Sequence, residues 1–84
     1  MIHLVLQVMK SPRKKEMPII VFQIGKRIKR IIDEKNLKMR HVAYDANLDV
    51  ENLRKYIKGT QEMKVSTLMR IVKSLDVKVE ELFK

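Results

Sequence analysis

Two hydrophobic periods divide the chain. Ile2, Leu4, Leu6 and Val8 alternate with His3, Val5 and Gln7, the two-residue period of a half-buried strand. From Ile19 onward the period lengthens to that of a helix. Ile24, Ile28, Ile31 and Ile32 fall at i, i+4, i+7 and i+8, an apolar stripe that predicts a first helix from Ile19 to near Asn36. A second, short helix is predicted over about Met39 to Ala46 and a third over about Val50 to Lys58. Leu68, Ile71, Val72 and Leu75 repeat the stripe on a fourth helix, about Val65 to Leu75. A fifth short turn, Val79 to Phe83, carries Leu82 and Phe83. The stops agree with this division. Asn47 tolerates the left-handed conformation that closes a helix, Asp49 is a good N-cap, and Gly59 fits the position just past a helix end. The expected fold class is all-α, five helices joined by short loops.

This pattern gives two regions: an N-terminal extension, residues 1–18, and a helical domain, residues 19–84. The extension ends in SPRKKEMP, a basic, turn-like connector holding Pro12 and Pro18. A lone strand cannot satisfy its own backbone, and nothing later in the sequence looks like its partner. The same segment from a second subunit can supply one across a two-fold axis. The alternatives are a flexible leader, or a working start at Met17.

Charge narrows the partners. The chain has 84 residues, a formal net charge of +9 and a pI near 10.1, which suggests a polyanion, either nucleic acid or an anionic membrane surface. Much of this charge lies on the first helix, whose polar face carries Lys26, Arg27, Lys29 and Arg30. No cysteine is present, so stability must come from helix packing, completed or not by a second subunit. The apolar part of MIHLVLQVMK is too short to span a bilayer, which takes roughly 20 residues. It also lacks a basic leading region and a cleavage site, so a cytoplasmic protein is expected. Catalytic patterns are missing as well: His3 and His41 are isolated, and neither HExxH nor GxGxxG occurs. No enzyme activity, cofactor, metal or small-molecule ligand is expected.

The informative stretch is VAYDANLDVENLRKYIKG, Val42 to Gly59. A helix-turn-helix needs a small residue where its two helices cross, a residue tolerant of positive φ at the turn, and an apolar lock behind them. Ala43 supplies the first, Asn47 the second, and Val42, Leu48 and Leu53 the third. A generic helical hairpin needs none of these together.

At these residues the sequence resembles a known family. LKMRHVAYDANLDVENLRKYIKG, followed by MKVSTLMRIVKSLDVKVEELF, is similar to the lambda-repressor-like, Cro-type (XRE family) helix-turn-helix pattern LSQxxLAxxxGVSxxxISxxExG and PSxxTLxxIAxALGVSxxELF. Leu37, Ala43, Leu48, Leu53, Gly59, Thr67, Leu68, Ile71, Leu75, Val77, Leu82 and Phe83 match in register, and the resemblance runs from Phe22 to Phe83. It implies a five-helix domain whose third helix enters the major groove of duplex DNA, and a homodimer. The departures matter too. Met39 stands where the family commonly has a phosphate-binding glutamine, with Lys38 and Arg40 beside it as cationic substitutes. Lys38, Lys64 and Lys78 replace serine N-caps at the unfavourable end of the helix dipole, a cost that suits Lys38 and Lys64 if they touch phosphate. Ile32 and Ile57 replace an arginine–glutamate pair, a double apolar exchange that suggests two isoleucines in contact.

Under this resemblance the base-facing residues are Val50, Glu51, Asn52 and Lys55. Asn52 suits adenine, Glu51 suits cytosine N4 and Val50 suits a thymine methyl. Glu51 serves the helix dipole equally well. The phosphate candidates are Lys38, Arg40, Arg54, Lys58, Thr60 and Lys64. Tyr44, Tyr56, Met63 and Met69 are expected in packing, and His41 on an exposed or phosphate-facing side. The expected function is a sequence-specific, homodimeric DNA-binding transcriptional regulator: a repressor, an antitoxin or a restriction-system controller. The alternative is a protein-interaction module that keeps the fold with weak or no DNA binding. Membrane-surface binding through the first helix ranks third.

Overall fold

The computed structural model describes residues 18–84. Their helical period is realised as α1 (Ile19–Glu34), α2 (Met39–Asp45), α3 (Val50–Lys58), α4 (Val65–Leu75) and a closing 3-10 turn, Val79–Leu82. Helices α3 and α4 keep their predicted limits, while α1 stops two residues before Asn36. The fifth helix is corrected to a 3-10 turn. Its bonds run from Glu81 N–H to Lys78 O and from Phe83 N–H to Glu80 O, the i to i−3 pattern. Four residues are too few to nucleate an α-helix. The fold is therefore all-α with four α-helices, and no strand occurs among the described residues. The strand expected over Ile2 to Val8 and its basic connector lie outside them.

All four helices end by one device. A residue with positive φ follows the last turn: Asn36 (57°), Asn47 (59°), Gly59 (76°) and Asp76 (58°). Each stop pairs two backbone bonds in the Schellman arrangement. At α2, Asn47 N–H reaches Tyr44 O and Leu48 N–H reaches Ala43 O at 2.8 Å. At α1, Leu37 N–H reaches Ile32 O, and at α3, Thr60 N–H reaches Lys55 O. Only one stop uses glycine. The others rely on Asn and Asp, whose short polar side chains make the left-handed region tolerable.

Starts are weaker than stops. None of the N-cap positions Pro18, Lys38, Asp49, Lys64 or Lys78 makes a side-chain capping bond. Asp49 occupies the N-cap position of α3, but its carboxylate does not cap. Packing must therefore hold the helices. Ile28, Leu53, Ile71, Leu75 and Leu82 are fully buried, one or two from each element except α2. Helix α2 contributes Val42 and Ala43, with Ala46 just beyond it. In α4, Leu68 is only partly buried, and Thr67 takes the deeper position beside Ile71, Val72 and Leu75.

Helix α1 packs mainly on α3, and α2 packs on both α3 and α4. The α1–α3 crossing is close enough to need a glycine. A Cβ on Gly25 would strike the Ile57 carbonyl oxygen and come within 2.5 Å of the Tyr56 carbonyl oxygen. The same interface reaches Gly59, where a Cβ would lie 2.9 Å from Phe22 Cα. Ile32 belongs to the buried cluster, and Ile57 packs against that cluster at its edge.

Candidate nucleic-acid interface

Helices α2 and α3 are held at their crossing by residues of three kinds. Ala43 is 2% exposed, so the meeting point of the helices has room for nothing larger. Asn47 reverses the chain in the left-handed region, and Leu48 turns inward onto the core. Val42 and Leu53 close the apolar side. These are the three demands of a helix-turn-helix, met at the positions the sequence assigned.

Helix α4 secures this unit with polar bonds that no sequence pattern announced. Arg70 Nε donates to Ala46 O at 2.9 Å, and Ser74 Oγ donates to Val42 O at 3.1 Å. Both acceptors are carbonyls at the end of α2, where a cationic donor also suits the helix dipole. Lys35 does the same for α4, with Nζ 2.8 Å from Leu75 O and 3.1 Å from Asp76 O. The one signal in the sequence is that Arg70 and Ser74 are four apart, beside the apolar stripe of α4.

The four base-facing candidates lie on α3 as follows. Val50 and Asn52 are half-buried, and Glu51 and Lys55 are exposed. Asn52 lines a shallow opening with Tyr44, Asp45, Asn47, Leu48 and Asp49. Val50 lines a second opening beside it with Arg40, His41 and Tyr44. Glu51 is paired with Arg54 at 3.0 Å, a surface pair whose members are 73% and 50% exposed. Arg54 therefore offsets part of the charge that Glu51 presents at the head of α3, although an exposed pair of this kind adds little stability.

The phosphate candidates Lys38, Arg40, Arg54, Lys58, Thr60 and Lys64 are all exposed. Lys38 and Lys64 sit at the uncapped starts of α2 and α4. Thr60 differs from the rest, because its hydroxyl donates its one proton to Lys55 O at 3.2 Å. Met39 packs against the core, which gives an apolar reason for its place in the chain.

Two packing expectations fail. Tyr44 is 81% exposed on the outer face of α2, and Met69 is 45% exposed on α4. In each case the neighbouring turn of the helix supplies the core residues, and the larger side chain falls on the solvent side. Tyr56 and Met63 do pack as expected, and His41 is exposed. Among the described residues no group of acidic or histidine side chains could hold a metal, and no helix is long and apolar enough to cross a membrane.

Solved structures share this arrangement. The restriction-modification controller protein C.AhdI from Aeromonas hydrophila superposes with a TM-score of 0.74 at 20% identity, over 79% of this chain and 100% of that one. The clp gene regulator ClgR from C. glutamicum gives 0.75 at 17% identity, over 79% and 86%. The wild-type restriction-modification controller C.Esp1396I gives 0.72 at 24% identity, over 79% and 86%. At these identities the likeness is one of fold. No curated protein matches the chain significantly. Residues 27–84 match the family model described as the Cro/C1-type HTH DNA-binding domain. With the crossing, the turn and the apolar lock all in place within that span, the chain belongs to the Cro/C1-type helix-turn-helix DNA-binding family.

Proposed function

We propose that the chain is a sequence-specific transcriptional regulator that binds duplex DNA as a homodimer, with α3 in the major groove. The observation that carries this reading is the α2–turn–α3 unit. Its turn conformation is fixed by Asn47 and its carbonyl ends are tied to α4, while the first turn of α3 stays open to a partner. Such a unit presents a rigid helix end, which base reading requires.

Val50, Glu51, Asn52 and Lys55 are the proposed base contacts. Lys38, Arg40, Arg54, Lys58 and Lys64 are the proposed phosphate contacts, with Thr60 the weakest of that set because its proton is already engaged. The controller and regulator named above share the fold, which supports a regulatory role. Val65 and Met69, four apart on α4, are 75% and 45% exposed and offer apolar surface for a second copy to cover. Residues 1–18 are proposed as an extension to the domain of residues 19–84.

A second reading rests on Asp45, Asp49 and Glu51, three carboxylates around the opening at the head of α3. They favour a protein partner over a polyanion. Selection of bound sites from random duplex DNA, followed by salt titration, separates the two. A regulator yields a palindromic consensus with half-sites about one helical turn apart, and log affinity falls steeply with log salt. Absence of a consensus and a flat salt response would favour the protein-interaction module.

A further inference from the structure

The outer face of α1 carries Lys26, Arg27, Lys29 and Arg30, and none of them belongs to the helix-turn-helix. Two are offset locally. Lys29 Nζ lies 2.8 Å from Asp33, and Arg30 Nε lies 3.8 Å from Glu34. Lys26 and Arg27 have no carboxylate at ion-pair distance among the described residues. Both are nevertheless held near the surface. The Lys26 ammonium sits 5.4 Å from the centre of the Phe22 ring, and Arg27 is half-buried. Lys26 and Arg30 repel each other at i, i+4, a small cost that a face of mixed charge would avoid.

This charge has a definite shape and place. Gln23, Lys26, Arg27 and Arg30 line one shallow concavity, so each side chain bordering it can donate N–H bonds. Lys26, Lys29 and Arg30 border a second, whose far wall is Ile57 near the end of α3. The basic face of α1 thus begins where α3 ends, beside the exposed Lys55 and Lys58. A recognition helix reads bases with its N-terminal residues. Its C-terminal end then leaves the groove towards the backbone, and α1 lies on that side.

We propose that the basic face of α1, centred on Lys26 and Arg27, binds phosphates of duplex DNA outside the site read by α3. The proposal rests on the DNA-binding reading above and extends its footprint. A lipid surface suits this helix less well. An interfacial helix needs its apolar face free to enter the membrane, whereas Ile24, Ile28, Ile31 and Ile32 are buried in the core.

The experiment uses the full chain and the site obtained by selection, as a minimal duplex and with about ten base pairs added at each end. The wild-type protein should bind the longer duplex more tightly and with a steeper salt slope. The double variant Lys26→Gln/Arg27→Gln should bind the minimal duplex as the wild type does. On the longer duplex its slope of log affinity against log salt should flatten by about 1.8, at about 0.9 for each phosphate no longer neutralised. Lys26→Arg/Arg27→Lys should keep the steep slope. Lys73→Gln/Lys78→Gln removes the same charge elsewhere and should leave the gain with length intact.

Circular dichroism melts of every variant establish that each is folded. Equal loss from both charge-removing variants would reduce the effect to net charge and overturn the proposal. So would a wild-type protein that binds both duplexes equally. Binding to vesicles containing phosphatidylserine that depends on Lys26 and Arg27, without any gain on the longer duplex, would assign the face to a membrane instead. Failure to bind even the minimal duplex would overturn this proposal and the DNA-binding reading together.

Discussion

Replacing Gly25 by alanine should destabilise the domain, although the same change in most helix interiors stabilises it. Gly25 is buried mid-way along α1, where alanine gains about 1 kcal/mol in helix propensity. Opposing this is the α3 backbone. The new methyl would meet the carbonyl oxygens of Ile57 and Tyr56, the latter at 2.5 Å, and the Ile57 carbonyl carbon at 2.9 Å. Backbone groups cannot rotate away as a side chain can, so α1 and α3 must separate by roughly 0.7 Å. A gap of that size forfeits about a quarter to a half of each dispersion interaction across the interface. The affected residues include Ile28 and Leu53, both fully buried.

Overpacking of this kind costs about 1–3 kcal/mol, and the rigid neighbours place Gly25 at the upper end. After the propensity gain of about 1 kcal/mol, the net loss is about 2 kcal/mol. That corresponds to a fall in melting temperature of about 8–16 °C for a domain of this size. Thermal melts and urea titrations followed by circular dichroism measure it directly. An alanine variant as stable as the parent, or more so, would mean that the helices do not approach this closely. Because α3 rests on α1 here, DNA affinity should fall along with stability.

Other perturbations test the turn, the α4 bonds and the reading face separately. Asn47→Ala puts a Cβ without a local polar partner at φ 59° and should cost about 1 kcal/mol, whereas Asn47→Gly should be near neutral in a urea titration. Arg70→Met removes the bond to Ala46 O; discounted for partial exposure, the loss should be about 1 kcal/mol, with Arg70→Lys recovering part of it in the same titration. Asn52→Ala should relax discrimination at one base position by about 1–3 kcal/mol in a binding-site selection. Lys64→Ala should instead weaken binding to every sequence and flatten the salt slope by about 0.9. Equal losses from Asn52→Ala and Lys64→Ala across random sites would place the reading face elsewhere.

The sequence was most legible where one residue decides a local conformation. Asn47 and Gly59 marked helix ends because few residues accept positive φ, and both limits stand. Asn36 and Asp76 use the same rule, but only the whole set shows that every helix ends this way. The C-terminal turn was harder. Leu82 is fully buried, yet four residues with mixed charge do not distinguish an α-turn from a 3-10 turn.

Side-chain placement followed a similar divide. The apolar stripes gave the buried faces of α1 and α4, because a 3.6-residue period converts spacing into direction. The stripes did not tell which large residues would stay outside. Tyr44 and Met69 are apolar enough for a core but lie a turn away from it, and Thr67 is buried in their stead. The candidate site was legible as a pattern of residue types around one turn. Its supports were not: Arg70 and Ser74 lie 24 and 32 residues from the carbonyls they bind.

By itself, the sequence determined the helix periods, the stops and the requirements of a helix-turn-helix, all of which depend on neighbours within a few residues. The tertiary structure alone decided how closely α1 and α3 approach at Gly25, which carbonyls α4 ties down, and where the basic face of α1 lies relative to α3. Those features depend on separations in space between residues far apart in the chain, and no local preference encodes such distances.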